Sequence, residues 1–117
     1  MHYAISTTWG PTDPTRAALP FVFALTALQA GDSVTVMLFH DAVHLGTRGT
    51  ADKLVPFGPP QRFAEVVAHP NAKVYVCKPC AEVRHIGPDL LVTGAVMGGM
   101  VELHAAGSRP DAKFVSF

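Results

Sequence analysis

The segment Ser33–His40 (SVTVMLFH) constrains the fold more than any other part of the chain. It is apolar almost throughout instead of alternating, as a strand covered on both faces is, and such strands lie in the middle of parallel sheets packed between helices. The remaining segments fit that frame. Residues 2–8 read as a first strand, Lys73–Val76 (KVYV) as another, Leu90–Met97 as containing a short one, and Lys113–Phe117 as the last. Between them come helical segments. Asp13 is a good N-cap with Pro14 at the first helical position, and that helix should run to about Ala30 and stop at Gly31, with Pro20 kinking or breaking it. A loop with a short helix spans Asp41 to about Leu54, Pro59-Pro60 opens a helix ending near His69, Pro79–Ile86 reads as a helix, and Gly98-Gly99 leads into one ending near Ala106. Strands alternating with helices predict an α/β fold with a largely parallel sheet. With 117 residues and no repeat, low-complexity tract or linker, residues 1–117 should form a single domain.

Composition narrows the function classes. Hydrophobic residues make up 49% of the chain, enough for one well-filled core, while charged residues are only 15%, against about a quarter in typical domains. A chain this sparing of charge is expected to bury part of its surface in a homo-oligomer. Lys plus Arg and Asp plus Glu both number nine, so the formal net charge is zero and no basic excess supports binding to nucleic acid or a membrane surface. The opening MHYAISTTWG has no positive or apolar signal region, and the longest apolar stretch, around Ala17 to Leu28, carries Pro20 and is too short to span a bilayer. A cytoplasmic location follows as the expectation. There, two cysteines three positions apart suggest redox, persulfide or metal chemistry more than a structural staple.

Those cysteines, Cys77-Lys78-Pro79-Cys80, follow a buried-strand pattern and precede a helix. In open α/β sheets, ligand sites lie at the carboxyl ends of strands. A helix N-terminus and the neighbouring Lys78 both favour a thiolate, so Cys77 should ionise below the ~8.5 of a free cysteine. Pro79 keeps the pair close, so that Cys80 can attack a disulfide or persulfide formed on Cys77. The alternative is two inert core cysteines. The spacing also suits thioredoxin-like chemistry, but that fold carries its CxxC after an early strand, and here the pair follows about the third. A zinc site would need ligands beyond the two that one CxxC supplies, and no second CxxC or HxxxH follows. No metal or cofactor is expected, although a metal or small ligand bound at a Cys/His cluster, and simple thiol–disulfide reduction, remain competing readings.

Six histidines are notable in a chain this short. His40 and His44 (HDAVH) should lie at the strand ends near the cysteines, where imidazoles shuttle protons or stabilise a thiolate; His2, His69 and His104 are weaker candidates. HDAVH has the histidine spacing of a helical zinc pair but lacks the HExxH glutamate. Asp41 either orients the loop or a histidine or is an ordinary turn residue, and Arg84 either attracts an acidic or sulfur-bearing anion or is a solvated helix-face residue. Gly98-Gly99 fits neither a P-loop nor GxGxxG and reads as a tight turn. Trp9 lines a pocket or interface, or, the commoner outcome, packs on the core.

Taken in order, these pieces resemble the DsrE/DsrF-like (YchN-like) family. Asp13-Pro14-Thr15-Arg16-Ala17 resembles its DP-x-RA helix start, and Gly31-Asp32-Ser33-Val34-Thr35-Val36 its G-x-x-V-x-V strand entry. Phe39–Leu45 (FHDAVHL) resembles F-x-D-G-V-x-L, Val76–Ile86 (VCKPCAEVRHI) resembles V-C-x-x-C-x-x-x-R-G-I, and Phe114–Phe117 the closing strand. The resemblance covers nearly the whole chain. It implies a three-layer α/β/α domain with a five-stranded, mostly parallel sheet, assembly into trimers or hexamers, and sulfur relay with a donor or acceptor protein. In sulfurtransferase members a cysteine at the position of Cys77 carries sulfur as a persulfide; Cys80 matches only members with a second cysteine. Two departures alter the cysteine surroundings: Ala42 and His85 stand where the family pattern has Gly.

Overall fold

The computed structural model describes residues 1–54 and 60–117. Five strands, β1 (His2–Thr7), β2 (Ser33–Leu38), β3 (Ala72–Cys77), β4 (Ala95–Gly98) and β5 (Ala112–Ser116), form one sheet in the order β4-β3-β2-β1-β5. Every neighbouring pair is parallel. The apolar run is therefore the middle strand, and all of β2 after Ser33 is buried. Its last two expected residues are not strand: Phe39 is extended and still donates its N–H to Thr7 O at 2.9 Å, but His40 turns the chain with φ +54° into a 3₁₀ segment, His40–Gly46.

Helices α1 (Pro14–Gln29) and α2 (Pro60–Ala68) cover one face, onto which Ile5, Val34, Val36, Leu38, Val74 and Val76 point, all essentially inaccessible. Phe21 of α1 meets Phe63 of α2 edge-on, with ring centroids 4.9 Å apart. Asp13 caps α1 by accepting the Arg16 backbone N–H at 3.2 Å, as its sequence predicts. The expected break at Pro20 does not occur: α1 is one helix from end to end. Pro20 is buried with Ala17, Phe21 and Ala24 along the sheet-facing stripe, and that burial offsets the one intrahelical bond that proline removes. Of the expected Pro59-Pro60 opening, Pro59 lies outside the described residues.

Among the described residues, α4 (Met100–Gly107) covers the opposite face over β1, β2 and β5. There His2 is buried, its Nδ1 within 2.7 Å of Ser33 Oγ and its Nε2 within 2.9 Å of Thr35 Oγ1. Toward β4 this face is thin, and Val96, Met100 and Val101 are each more than half exposed. Among the described residues no helix is long and apolar enough to cross a membrane.

Candidate functional site

The carboxyl ends of β1, β2 and β3 carry the residues singled out by the sequence. β3 ends at Cys77, which is also the N-cap of α3 (Lys78–Glu82), with Pro79 in the first turn. Both cysteines are free thiols, and the Cys80 thiol donates to Cys77 Sγ across 2.6 Å. Cys77 is only 6% exposed and belongs to the main core with Ala81 and Ile86, whereas Cys80 is half-buried.

This burial corrects the expectation of a readily ionised Cys77. Loss of solvent, followed by the hydrogen bond from Cys80, pushes the Cys77 thiol above its ordinary range. The expected helix over Pro79–Ile86 is also too long: α3 has five residues, too few to build much of a dipole, and Lys78 points its charge into solvent.

The early end of α3 has a local cause. Ile86 N–H donates to Ala81 O at 2.9 Å and His85 N–H to Glu82 O at 3.1 Å, the paired bonds of a Schellman stop. The residue between helix and exit must then be left-handed, and His85 has φ +58°. This is the position where the family pattern places Gly, so the pattern marks a backbone requirement that His85 meets under strain.

The stop aims Arg84 back across the sheet end. Its Nε and Nη2 donate to Asp41 Oδ1 at 3.1 and 2.9 Å, its Nη1 donates to Cys80 O at 3.0 Å, and Nη2 also lies 3.3 Å from His40 Nδ1. Arg84 is thus a clamp and not a solvated surface residue, and Asp41 is more than a turn residue. The Arg84 hydrogen bond holds the Asp41 carboxyl below the usual aspartate range. His40 Nδ1 accepts the Asp41 backbone N–H at 2.8 Å, which leaves the ring N–H of the neutral imidazole on the exposed Nε2.

Beside this clamp lies a cleft of about 300 Å³ lined by Thr8, Trp9, Gly10, Thr12, His40 and Asp41. Trp9 lines it and is 37% exposed, not packed on the core; the Arg16 guanidinium sits 4.2 Å over its ring. Gly10 is fixed by steric need, because a Cβ there would collide with the Asp41 carbonyl. The role of this Trp-Gly loop was signalled only by its place directly after the first strand.

The structure therefore joins Cys77, Cys80, Arg84, Asp41 and His40 into one connected set. No side-chain hydrogen bond joins His44 to it among the described residues: His44 is half-buried, and its backbone carbonyl accepts the Thr47 N–H at 3.1 Å and the Thr47 hydroxyl at 2.7 Å. His69 caps its own turn by accepting Asn71 N–H at 3.0 Å, and His104 is exposed on α4. Among the described residues no three His, Cys, Asp or Glu side chains converge as a metal set.

Comparison with known proteins gives concordant matches. A model of the DsrE/DsrF-like family matches residues 1–115. The uncharacterized protein MK0008 of Methanopyrus kandleri is 31% identical over 93 residues, covering 80% of this chain and 75% of that protein. The uncharacterized protein MJ0989 of Methanocaldococcus jannaschii is 29% identical over 114 residues, covering 95% and 96%. Among solved structures, the ychN protein from E. coli superposes with a TM-score of 0.78 at 24% identity, covering 99% of this chain and 97% of that one. A protein of unknown function from Methanobacterium thermoautotrophicum, MTH1491, gives 0.74 at 12% identity, covering 99% and 98%. Both structures share the fold.

Proposed function

The chain belongs to the DsrE/DsrF-like family, and on that premise we propose that it is a sulfur carrier that holds sulfane sulfur as a persulfide on Cys77. The observation that carries this reading is the contact between two free thiols, 2.6 Å apart at the end of a central strand, one buried and one half-buried. The Cys77 thiolate attacks the outer sulfur of a donor persulfide, forming Cys77–S–SH and releasing the donor thiolate. A partner's thiolate then takes that outer sulfur and restores Cys77. Alternatively the Cys80 thiolate attacks the inner sulfur, forming the Cys77–Cys80 disulfide and expelling hydrosulfide; two electrons from a dithiol reset the pair. Burial keeps the persulfide from water and stray thiols, and Lys78 offers a solvent-facing charge to an anionic donor.

Donor and acceptor are most simply other proteins of a reducing, cytoplasmic compartment. The thin sheet face near β4, where Val96, Met100 and Val101 are exposed, favours assembly of the chain into a homo-oligomer, a trimer or a hexamer. Light scattering that gives a monomer at micromolar concentration would count against assembly. The carrier itself is tested by mass spectrometry after incubation with a persulfide donor. The wild type should gain the mass of one sulfur atom and Cys77→Ser should not; an equal gain in Cys77→Ser sinks the assignment to Cys77.

A further inference from the structure

We propose that Arg84 is a positioning residue for the thiol pair: it holds Cys80 against Cys77, and so sets how sulfane sulfur on Cys77 divides between transfer to a partner thiol and release as hydrosulfide. The division rests on the sulfur-carrier reading; the positioning does not. The need for a holder comes from the early end of α3. In a continuing helix the Cys80 carbonyl accepts the N–H of Arg84, four residues on. At the Schellman stop that N–H donates to Ala81 O at 3.0 Å instead, and the Arg84 side chain fills the place it left, with Nη1 donating to Cys80 O at 3.0 Å. A carbonyl orphaned by the end of a helix is thus bound by a charged donor.

The other end of Arg84 is anchored. Nε and Nη2 both donate to Asp41 Oδ1. Asp41 is itself held by its N–H on His40 Nδ1 at 2.8 Å and by close packing of its carbonyl against Gly10, where a Cβ would collide. The guanidinium therefore spans from the loop after β2 to the peptide that follows Cys80. Directly before Cys80, the ring of Pro79 locks its own φ. With the chain restrained on both sides, the Cys80 Cα–Cβ bond has little freedom, and its thiol stays 2.6 Å from Cys77 Sγ. In the release step the Cys80 thiolate attacks the inner sulfur of Cys77–S–SH. The Cys77–Cys80 bond forms, the outer sulfur leaves as hydrosulfide, and the pair is oxidised by two electrons as that sulfur is reduced. A held thiol raises the rate of this step and the stability of the disulfide; a loosened one leaves the persulfide to a partner.

Two variants separate position from charge. Arg84→Lys keeps the charge, but its single nitrogen cannot serve Asp41 and Cys80 O together. Asp41→Ala leaves Arg84 in place and removes its anchor; if it fails to fold, Asp41→Asn, which keeps the shape and weakens the anchor, takes its place with the same expected direction. Each folded variant is equilibrated with reduced and oxidised glutathione, and the Cys77–Cys80 disulfide is counted by mass spectrometry after alkylation. The equilibrium constant for closing the disulfide should fall by about tenfold, the weight of one hydrogen bond to a charged group and a shift of about 30 mV in potential. An unchanged constant in either variant overturns the positioning role, because Arg84 would then act by its charge or not at all. After loading with glutathione persulfide, the variants should release hydrosulfide about tenfold more slowly than the wild type and keep the added sulfur longer; equal release rates overturn the division. No sulfur gain on Cys77 in any of these proteins, with the glutathione shift present, would refute the carrier reading and leave the positioning standing. Sulfur gain with unchanged equilibrium constants would do the reverse.

Discussion

Arg84 grips Asp41 through two nitrogens on a single carboxylate oxygen, Nε at 3.1 Å and Nη2 at 2.9 Å, and so ties the loop after β2 to the turn after the cysteine helix, 43 residues away in sequence. The contact keeps the Asp41 carboxyl ionised below the usual aspartate range. In Arg84→Gln its titration, followed by carboxylate NMR, should move back up toward ~3.9. Because the folded value is lowered, the stabilisation is complete above the unfolded aspartate pKa and is lost as pH falls through the folded one. The wild type should therefore lose an increment of stability in acid that Arg84→Gln lacks. An unchanged Asp41 titration in the variant would show that the clamp is not what sets it.

Cys77 and Cys80 should differ in reactivity in the order opposite to that expected from a helix N-terminus. Cys77 is buried and its thiol is raised by burial and then by the Cys80 hydrogen bond, while Cys80 is half-buried. Limited alkylation with iodoacetamide at neutral pH, read by peptide mass spectrometry, should label Cys80 first. Labelling of Cys77 should become prominent only above the ~8.5 of a free thiol. Since the raised value belongs to the folded state, the contribution of Cys77 to stability is full below the unfolded thiol pKa and declines as pH rises through it. Preferential labelling of Cys77 at neutral pH would contradict this ordering.

The frame of the molecule was legible because local chemistry alone dictates it. The apolar run Val34–Leu38 had to be a doubly covered strand, and it is the middle one; Asp13-Pro14 had to open a helix, and it does. The CxxC pair and the strand-end residues His40 and Asp41 were legible as candidates by position. What stayed illegible depends on packing between distant segments. Nothing in the Arg84 neighbourhood announces Asp41 as its partner, and the rise in the Cys77 thiol comes from core residues such as Ala81 and Ile86 closing over it. Left-handed backbone at His40 was hidden for a plainer reason: glycine usually marks such positions, and here histidine occupies it; at His85 only the family pattern's Gly pointed to it.

His2 should act as an acid-sensitive strut on the opposite face. Arg109 Nη1 lies 3.1 Å from its Nδ1, and an arginine only donates, so Nδ1 must accept and the ring proton sits on Nε2 facing Thr35. Burial first, then the Arg109 charge, lowers its pKa. The stabilisation is therefore present above the unfolded histidine pKa of ~6.5 and is lost as pH falls through the lowered folded value. Urea denaturation across that range should show stability falling with acid in the wild type and a flatter profile in His2→Gln. Identical slopes would mean that His2 protonates as easily in the fold as out of it.

His85 offers a test in which backbone conformation is separated from side-chain chemistry. It occupies the left-handed position of the Schellman stop with φ +58°, is exposed, and its imidazole makes no hydrogen bond among the described residues. An L-residue pays about 1 kcal/mol or more for that conformation, which glycine adopts freely, although glycine also gains entropy in the unfolded chain. His85→Gly should therefore be more stable by a net of roughly 0.5 kcal/mol, raising the melting temperature by about 2 °C. His85→Val, with branching at Cβ, should be less stable than the wild type, because its side chain crowds the left-handed backbone more than histidine does. The order Gly above His above Val, read by thermal unfolding, assigns the strain to the backbone. Any order with Val above Gly would instead mean that the stop relaxes to a different conformation, and the placing of Arg84 against Asp41 should then be lost with it.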